Sequence, residues 1–219
     1  MMFELWYIII ALVGSIFCGL WDLKTSDIPD KICWLMISLG IGLHGLESYL
    51  IGSTAPLISS LTVGSIFLAF GIFMYYTGQW GGGDGELLTA IGFTLPTASV
   101  LTFFPFPVAF FFNLVFLGAF YSVIYVIFLA KMPNVERKGL EFYRNVPVKK
   151  LMKGDVIGED IPRLNIYKRK IRGLTEKEIL KIRKIKKNVI VREGIRYGPA
   201  FPLALAFTLY YGDLILFLM

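Results

Sequence analysis

The sequence predicts an all-α polytopic membrane protein, with six transmembrane helices and a small α+β cytoplasmic insert between the fifth and sixth. Three observations carry that expectation. The 219 residues are 56% hydrophobic and only 17% charged, outside the range of soluble globular domains. Apolar windows of the roughly 20 residues needed to cross a bilayer recur along the whole chain. All 22 Lys and Arg fall into two stretches, Lys24 with Lys31 and the segment from Lys131 to Arg196.

The first window runs from Phe3 to Leu20, the second from Ile32 to Ile51 and the third from Leu57 to Tyr76. Their length reads as helix and not as buried strand. Glu4 and the lack of a basic residue before the first run argue for a permanent helix over a cleavable signal peptide. A fourth helix is expected from Glu86 to Phe104, kinked at Pro96, with neighbouring helices satisfying the freed carbonyl. Phe104-Pro105-Phe106-Pro107 leaves room for a tight reversal before the fifth, Val108 to Ala130, and Pro199 to Met219 makes the sixth. The chain accordingly divides into a membrane part, 1–130, an insert, 131–197, and a last helix, 198–219.

Under the positive-inside rule both basic stretches are cytoplasmic. With six crossings, both termini are external, and the loops after helices one, three and five share the cytoplasmic face. The segment from Lys131 to Arg196 holds twenty basic and eight acidic residues. Such a loop fits a partner in anionic membrane lipid better than in nucleic acid. Within it, Thr175-Glu176-Lys177-Glu178 has capping-box spacing, and Ile179, Ile182 and Ile185 follow at helical steps. Val189 to Val191 reads as a short strand.

Charged residues in or beside membrane helices are costly and therefore mark functional sites. Glu4, Glu47 and Asp213 fall near outer ends, where a carboxylate needs no special role, and His44 reads as a helix-end residue of the same half. Asp22, Asp27, Asp30, Asp84 and Glu86 gather at the cytoplasmic face. Asp22 follows directly on the apolar run of helix one, at the lipid boundary. Asp84 follows Gly81-Gly82-Gly83 at the start of helix four, where its carboxylate has amides to cap. Glycines there let a second backbone approach closely. Two carboxyls that approach each other share a proton, so that one activates water while the other protonates a carbonyl oxygen. Cys18, Cys33 and His44 have no metal-ligand spacing, and the expectation is no metal and no cofactor.

The segment from Asp22 to Ile28-Pro29-Asp30 resembles the first motif of the type IV prepilin peptidases. Gly81-Gly82-Gly83-Asp84 is similar to their G-x-G-D motif, and Gly198-Pro199 to the Gly-Pro segment before their last helix. Within that class the likeness is to the archaeal preflagellin (archaellin) peptidases, because the insert lies between helices five and six and no paired CxxC motifs are present. This resemblance implies an aspartic endopeptidase with Asp22 and Asp84 as the catalytic pair and Gly81, Gly83, Ile28, Pro29, Gly198 and Pro199 as motif support. It implies removal of the positively charged leader of archaellin or type IV pilin-like precursors, cleaved after a Gly preceded by Lys or Arg, without N-methylation. Asp27, Asp30 and Glu86 are candidates for meeting the leader's charge. One rival is a protease of the presenilin or signal-peptide-peptidase type, which has nine helices and a Pro-Ala-Leu motif that Pro199-Ala200-Phe201 only approximates. Another is an acid-coupled transporter, whose carboxylates belong near the bilayer middle.

Overall fold

The computed structural model describes residues 2–132, 134–138, 141–152, 154–168 and 173–214. They form seven α-helices and four strands: α1 Met2–Thr25, α2 Asp30–Ile51, α3 Ala55–Tyr76, α4 Gly82–Thr94, α5 Phe106–Lys131, β1 Val135–Lys138, β2 Glu141–Pro147, β3 Val156–Ile157, α6 Glu176–Arg183, β4 Asn188–Glu193 and α7 Ala200–Tyr211. Four of them, α1, α2, α3 and α5, are long and apolar enough to cross a membrane, as a multi-pass protein requires. The chain divides into two compact units, one made of the residues up to Tyr121 together with those from Tyr197 on, the other Ser122–Arg196.

In the first unit α4 packs chiefly against α3 and α2, through glycines that let the helices touch. A Cβ on Gly71 would lie 2.8 Å from Gly85 Cα, and one on Gly40 would lie 2.7 Å from the Phe93 carbonyl oxygen. Small residues serve membrane helices in this way because close backbone approach, not exclusion of water, holds them together. Phe110, Phe201, Leu87, Leu88, Ile91 and Leu205 are fully buried around this seam.

The expected fourth helix from Glu86 to Phe104 is corrected: α4 begins at Gly82 and stops at Thr94. Leu95, which precedes Pro96, leaves helical geometry at φ −133° and ψ 69°, as the proline ring demands of its predecessor. The chain ends the helix there instead of kinking it. Neighbouring helices do satisfy the freed carbonyls, since Ser60 on α3 donates to Phe93 O at 2.6 Å and His44 Nε2 lies 3.3 Å from Thr94 O. His44 is thus a buried cap for another helix and not an end residue of its own, stacked 3.9 Å from the Tyr7 ring.

Of the expected sixth helix, Ala200–Tyr211 is helical and ends at Gly212, whose φ of +77° favours glycine. Residues 215–219 lie outside the described residues. Asp213 is buried, contrary to its reading as an interfacial carboxylate. Its Oδ2 accepts the amides of Phe103 and, at 3.2 Å, Phe104. Next to it Asn113 on α5 donates to Thr208 Oγ1 and Gly212 O and accepts from Leu214 N–H. Glu4 and Glu47 also have partners, the Ser99 amide and the Tyr7 hydroxyl.

The second unit contains an antiparallel sheet of order β1-β2-β4-β3, with Val146 paired to Val189 and Ile157 to Val191. The expected strand at Val189 to Val191 is the middle of β4. The capping box forms as expected: Glu178 N–H donates to Thr175 Oγ1, and the Glu178 carboxylate accepts the Thr175 N–H at 2.8 Å. Ile179 and Ile182 close over Val148, Leu151 and Val189 in a small core. Ile185 lies beyond the end of α6 and is exposed.

Candidate functional site

The first carboxylate sits inside a helix. Asp22 was expected just past helix one, but α1 continues to Thr25 and carries Asp22 in its last turn, 5% exposed. The side chain is held from the far end of the sequence, where the Gly198 N–H donates to Asp22 Oδ2 at 2.9 Å. A Cβ at 198 would stand 2.8 Å from Asp22 Cβ and 2.9 Å from its Oδ2, so only glycine brings the amide this close. One turn earlier on α1, a Cβ on Gly19 would meet Gly198 O and Pro199 Cα at 3.1 Å. Helix and Gly-Pro segment therefore lie flush.

The turn after α1 reverses through Ser26, at φ 58°, and is tied by Thr25 Oγ1, which reaches Trp21 O and Asp27 O at 2.9 and 3.1 Å. Ile28 is driven inward by this reversal and is buried. It abuts the glycine loop, since a Cβ on Gly83 would lie 2.8 Å from Ile28 Cβ. Pro29 precedes α2 in extended geometry, and its carbonyl accepts the Ile32 amide at 2.9 Å. The two motif loops thus touch through Ile28 and Gly83.

The second carboxylate, Asp84, is the third residue of α4. It is half-buried, and its Oδ2 accepts the Gly81 N–H at 3.1 Å, capping the helix as the sequence suggests. Asp22 is close enough for its charge to bear on Asp84. The Asp84 charge also bears on Tyr197, whose hydroxyl donates to Leu114 O at 2.9 Å across the space left by Gly118. Burial first, and the Asp84 charge second, push the Tyr197 phenol up to about 12. Trp80, just before the glycines, packs its ring 5.8 Å from Tyr197, 6.0 Å from Phe201 and 5.7 Å from Phe70.

Sequence reading brought Asp22, Asp84, Ile28, Gly83 and Gly198 forward, and they are neighbours here. It did not single out Tyr197 or Trp80, although each adjoins a motif glycine, and that adjacency was the available signal. Asp27 and Asp30 are exposed. Glu86 is half-buried beside them, within reach of both charges, and its buried Oε2 has no hydrogen-bond partner among the described residues. Cys18 and Cys33 are both buried and free. Among the described residues, no three His, Cys, Asp or Glu side chains gather so as to hold a metal ion.

Of the two carboxyls, one is anchored inside a helix and the other stands at the start of another, with the charge of the first bearing on the second; carboxyls that approach one another can share a proton. An aromatic wall of Trp80, Tyr197 and Phe201 flanks them.

Residues 9–127 match the type IV leader peptidase family. A preflagellin peptidase of Methanocaldococcus jannaschii is 28% identical over 88 residues, which cover 40% of this chain and 37% of that protein. A protein of Methanothermobacter thermautotrophicus named prepilin peptidase EppA is 26% identical over 142 residues, 59% of this chain and 37% of that protein. A preflagellin peptidase of Methanococcus voltae is 31% identical over 88 residues, again 40% and 37% of the two chains. Each match thus spans little more than a third of the curated relative.

Proposed function

Because the chain belongs to the type IV leader peptidase family, we propose that it is a membrane-embedded aspartic endopeptidase that removes the positively charged leader of archaellin or type IV pilin-like precursors. What supports this reading is that Asp22 and Asp84 stand on separate helices whose motif segments touch through Gly83 and Ile28, with the Asp22 charge bearing on Asp84. In the mechanism that follows, one carboxylate takes a proton from a water held between the pair while the other donates one to the scissile carbonyl oxygen. The tetrahedral intermediate then collapses as the proton passes to the leaving amine. This route forms no covalent enzyme intermediate.

Gly83 lets the start of α4 pack closely against Ile28, and Gly81 offers its amide to Asp84, so that Asp84 is positioned for an extended substrate to reach it. Asp27, Asp30 and Glu86 meet the Lys or Arg of the leader before its terminal Gly. Six crossings, with α4 and α7 as short spans, put the loops after α1, α3 and α5 on the cytoplasmic face and both termini outside. On this reading the chain divides into a membrane part, 1–130, a basic cytoplasmic insert, 131–197, and the last helix from 198.

The test is incubation of the detergent-solubilised protein with an archaellin precursor and sizing of the product. The expected result is loss of a leader ending in Gly, absent from an Asp84→Asn control. Intact precursor with folded protein, or cleavage inside the apolar segment, overturns the reading.

A further inference from the structure

We propose that the outward face of α6 is a docking surface for anionic phospholipid headgroups. At 100° per residue, Ile179 and Ile182 turn to the core of the second unit, and both are buried. The opposite side carries Lys177, Leu180, Lys181 and Lys184, all exposed. Lys149 and Lys150 are exposed on the neighbouring turn, Val148–Lys150, which packs against α6. The acids of the helix do not neutralise its outward face. Glu178 is turned back onto Thr175 by the capping box, and Glu176 lies to one flank of the lysine row.

Pairing separates these lysines from others nearby. Lys186 is tied to Glu159 at 2.8 Å, whereas among the described residues no ion pair includes Lys177, Lys181 or Lys184. Leu180 stands among the three with 57% of its surface exposed, and Ile185 follows at 42%. A row of unpaired lysines around an exposed leucine is the pattern of a helix that lies on a charged membrane, ammonium groups on phosphates and the leucine between acyl chains.

Chain connectivity favours lipid over an acidic protein or a nucleic acid. The segment is entered from α5, long and apolar enough to cross a bilayer, so a membrane surface is always present at high effective concentration. Each lysine then needs to add only about a fivefold preference for an anionic leaflet. The inference depends on membrane insertion and not on the peptidase reading, so either can fail alone.

The experiment compares the full chain in nanodiscs of phosphatidylcholine alone with nanodiscs containing a third of phosphatidylglycerol, by amide hydrogen exchange. The amides of α6 should exchange about fivefold more slowly with phosphatidylglycerol, and high salt should abolish the difference. The Lys177→Gln/Lys181→Gln/Lys184→Gln variant should lose it while the exchange of β4 stays unchanged, which shows the unit still folded. Should the triple variant unfold, the salt titration on the unaltered chain is decisive by itself. Equal α6 exchange in the two nanodiscs, or protection that survives high salt, overturns the proposal and leaves the face to solvent or to another macromolecule.

Discussion

The Gly198 amide donates a 2.9 Å hydrogen bond to Asp22 Oδ2 across 176 residues of chain. A buried carboxylate so held has lost much of its rotamer freedom, and its position depends on a residue with no side chain. The assigned roles lead to separable expectations.

Asp22→Asn and Asp84→Asn should each insert and fold but lose about 10²–10⁴-fold in turnover, the usual range for a positioned acid or base. Asp27→Asn and Asp30→Asn should remain active. Precursor cleavage by purified variants, normalised to folded protein, decides it. Near wild-type turnover in either of the first two would remove that residue from the pair.

Substitution of the two contact glycines should act by displacement. Gly198→Ala puts a methyl 2.8 Å from Asp22 Cβ, and a carboxyl moved by about 1 Å loses about a hundredfold in rate. Gly83→Ala strikes Ile28 Cβ at 2.8 Å. Its defect should be relieved by Ile28→Gly in the same chain, which removes the struck atom, an outcome that a general loss of stability would not produce.

Neutralising Asp27, Asp30 and Glu86 together should raise KM for a precursor with a Lys- or Arg-bearing leader and leave kcat nearly unchanged. Exposed charge pairs contribute about 1 kcal/mol or less and are screened by salt, so the change should be severalfold and shrink as salt is added. The same KM change with a neutral leader would assign the acids another task.

Asp213→Ala should lower the thermal midpoint of the solubilised protein. It strips a buried acceptor from the Phe103 and Phe104 amides, and each orphaned group costs about 1–3 kcal/mol. Activity per folded molecule should persist, because this network lies away from Asp22 and Asp84 in the fold. An unchanged midpoint would mean that water serves these amides equally well.

Reporters fused after Lys24 and within the segment from Lys131 to Arg196 should read cytoplasmic, and one at the C-terminus external. Opposite readings at the two basic stretches would take away the common face on which the site reading depends.

How much of this was legible varied with the range of the interactions. The Thr175–Glu178 cap could be read directly, since all its partners lie within four residues. Pro96 announced a disturbance in helix four, but whether the helix kinked or stopped depended on Ser60 and His44 being in place to take the Phe93 and Thr94 carbonyls, and no local pattern reveals that. Asp22 and Asp84 were visible as acids in costly surroundings. Asp22 as a residue inside α1, and Gly198 as its donor, were not, because both depend on packing across the whole chain. Among the strands only β4 has a plain apolar run. In β2 the buried residues Phe142 and Tyr143 are adjacent, so the alternation that marks a strand is broken.

The shortness of α4 and α7 has a consequence for the surrounding lipid. Thirteen and twelve residues of helix reach about 20 and 18 Å, against a hydrocarbon core about 30 Å thick. If both cross, the bilayer beside them must be pinched to match, at a fraction of a kcal/mol for each ångström of mismatch. Thinned lipid carries water and headgroups deeper than usual. On the proposed reading, precursor cleavage should therefore run faster in short-chain than in long-chain bilayers, with acyl length acting as a dial on its rate.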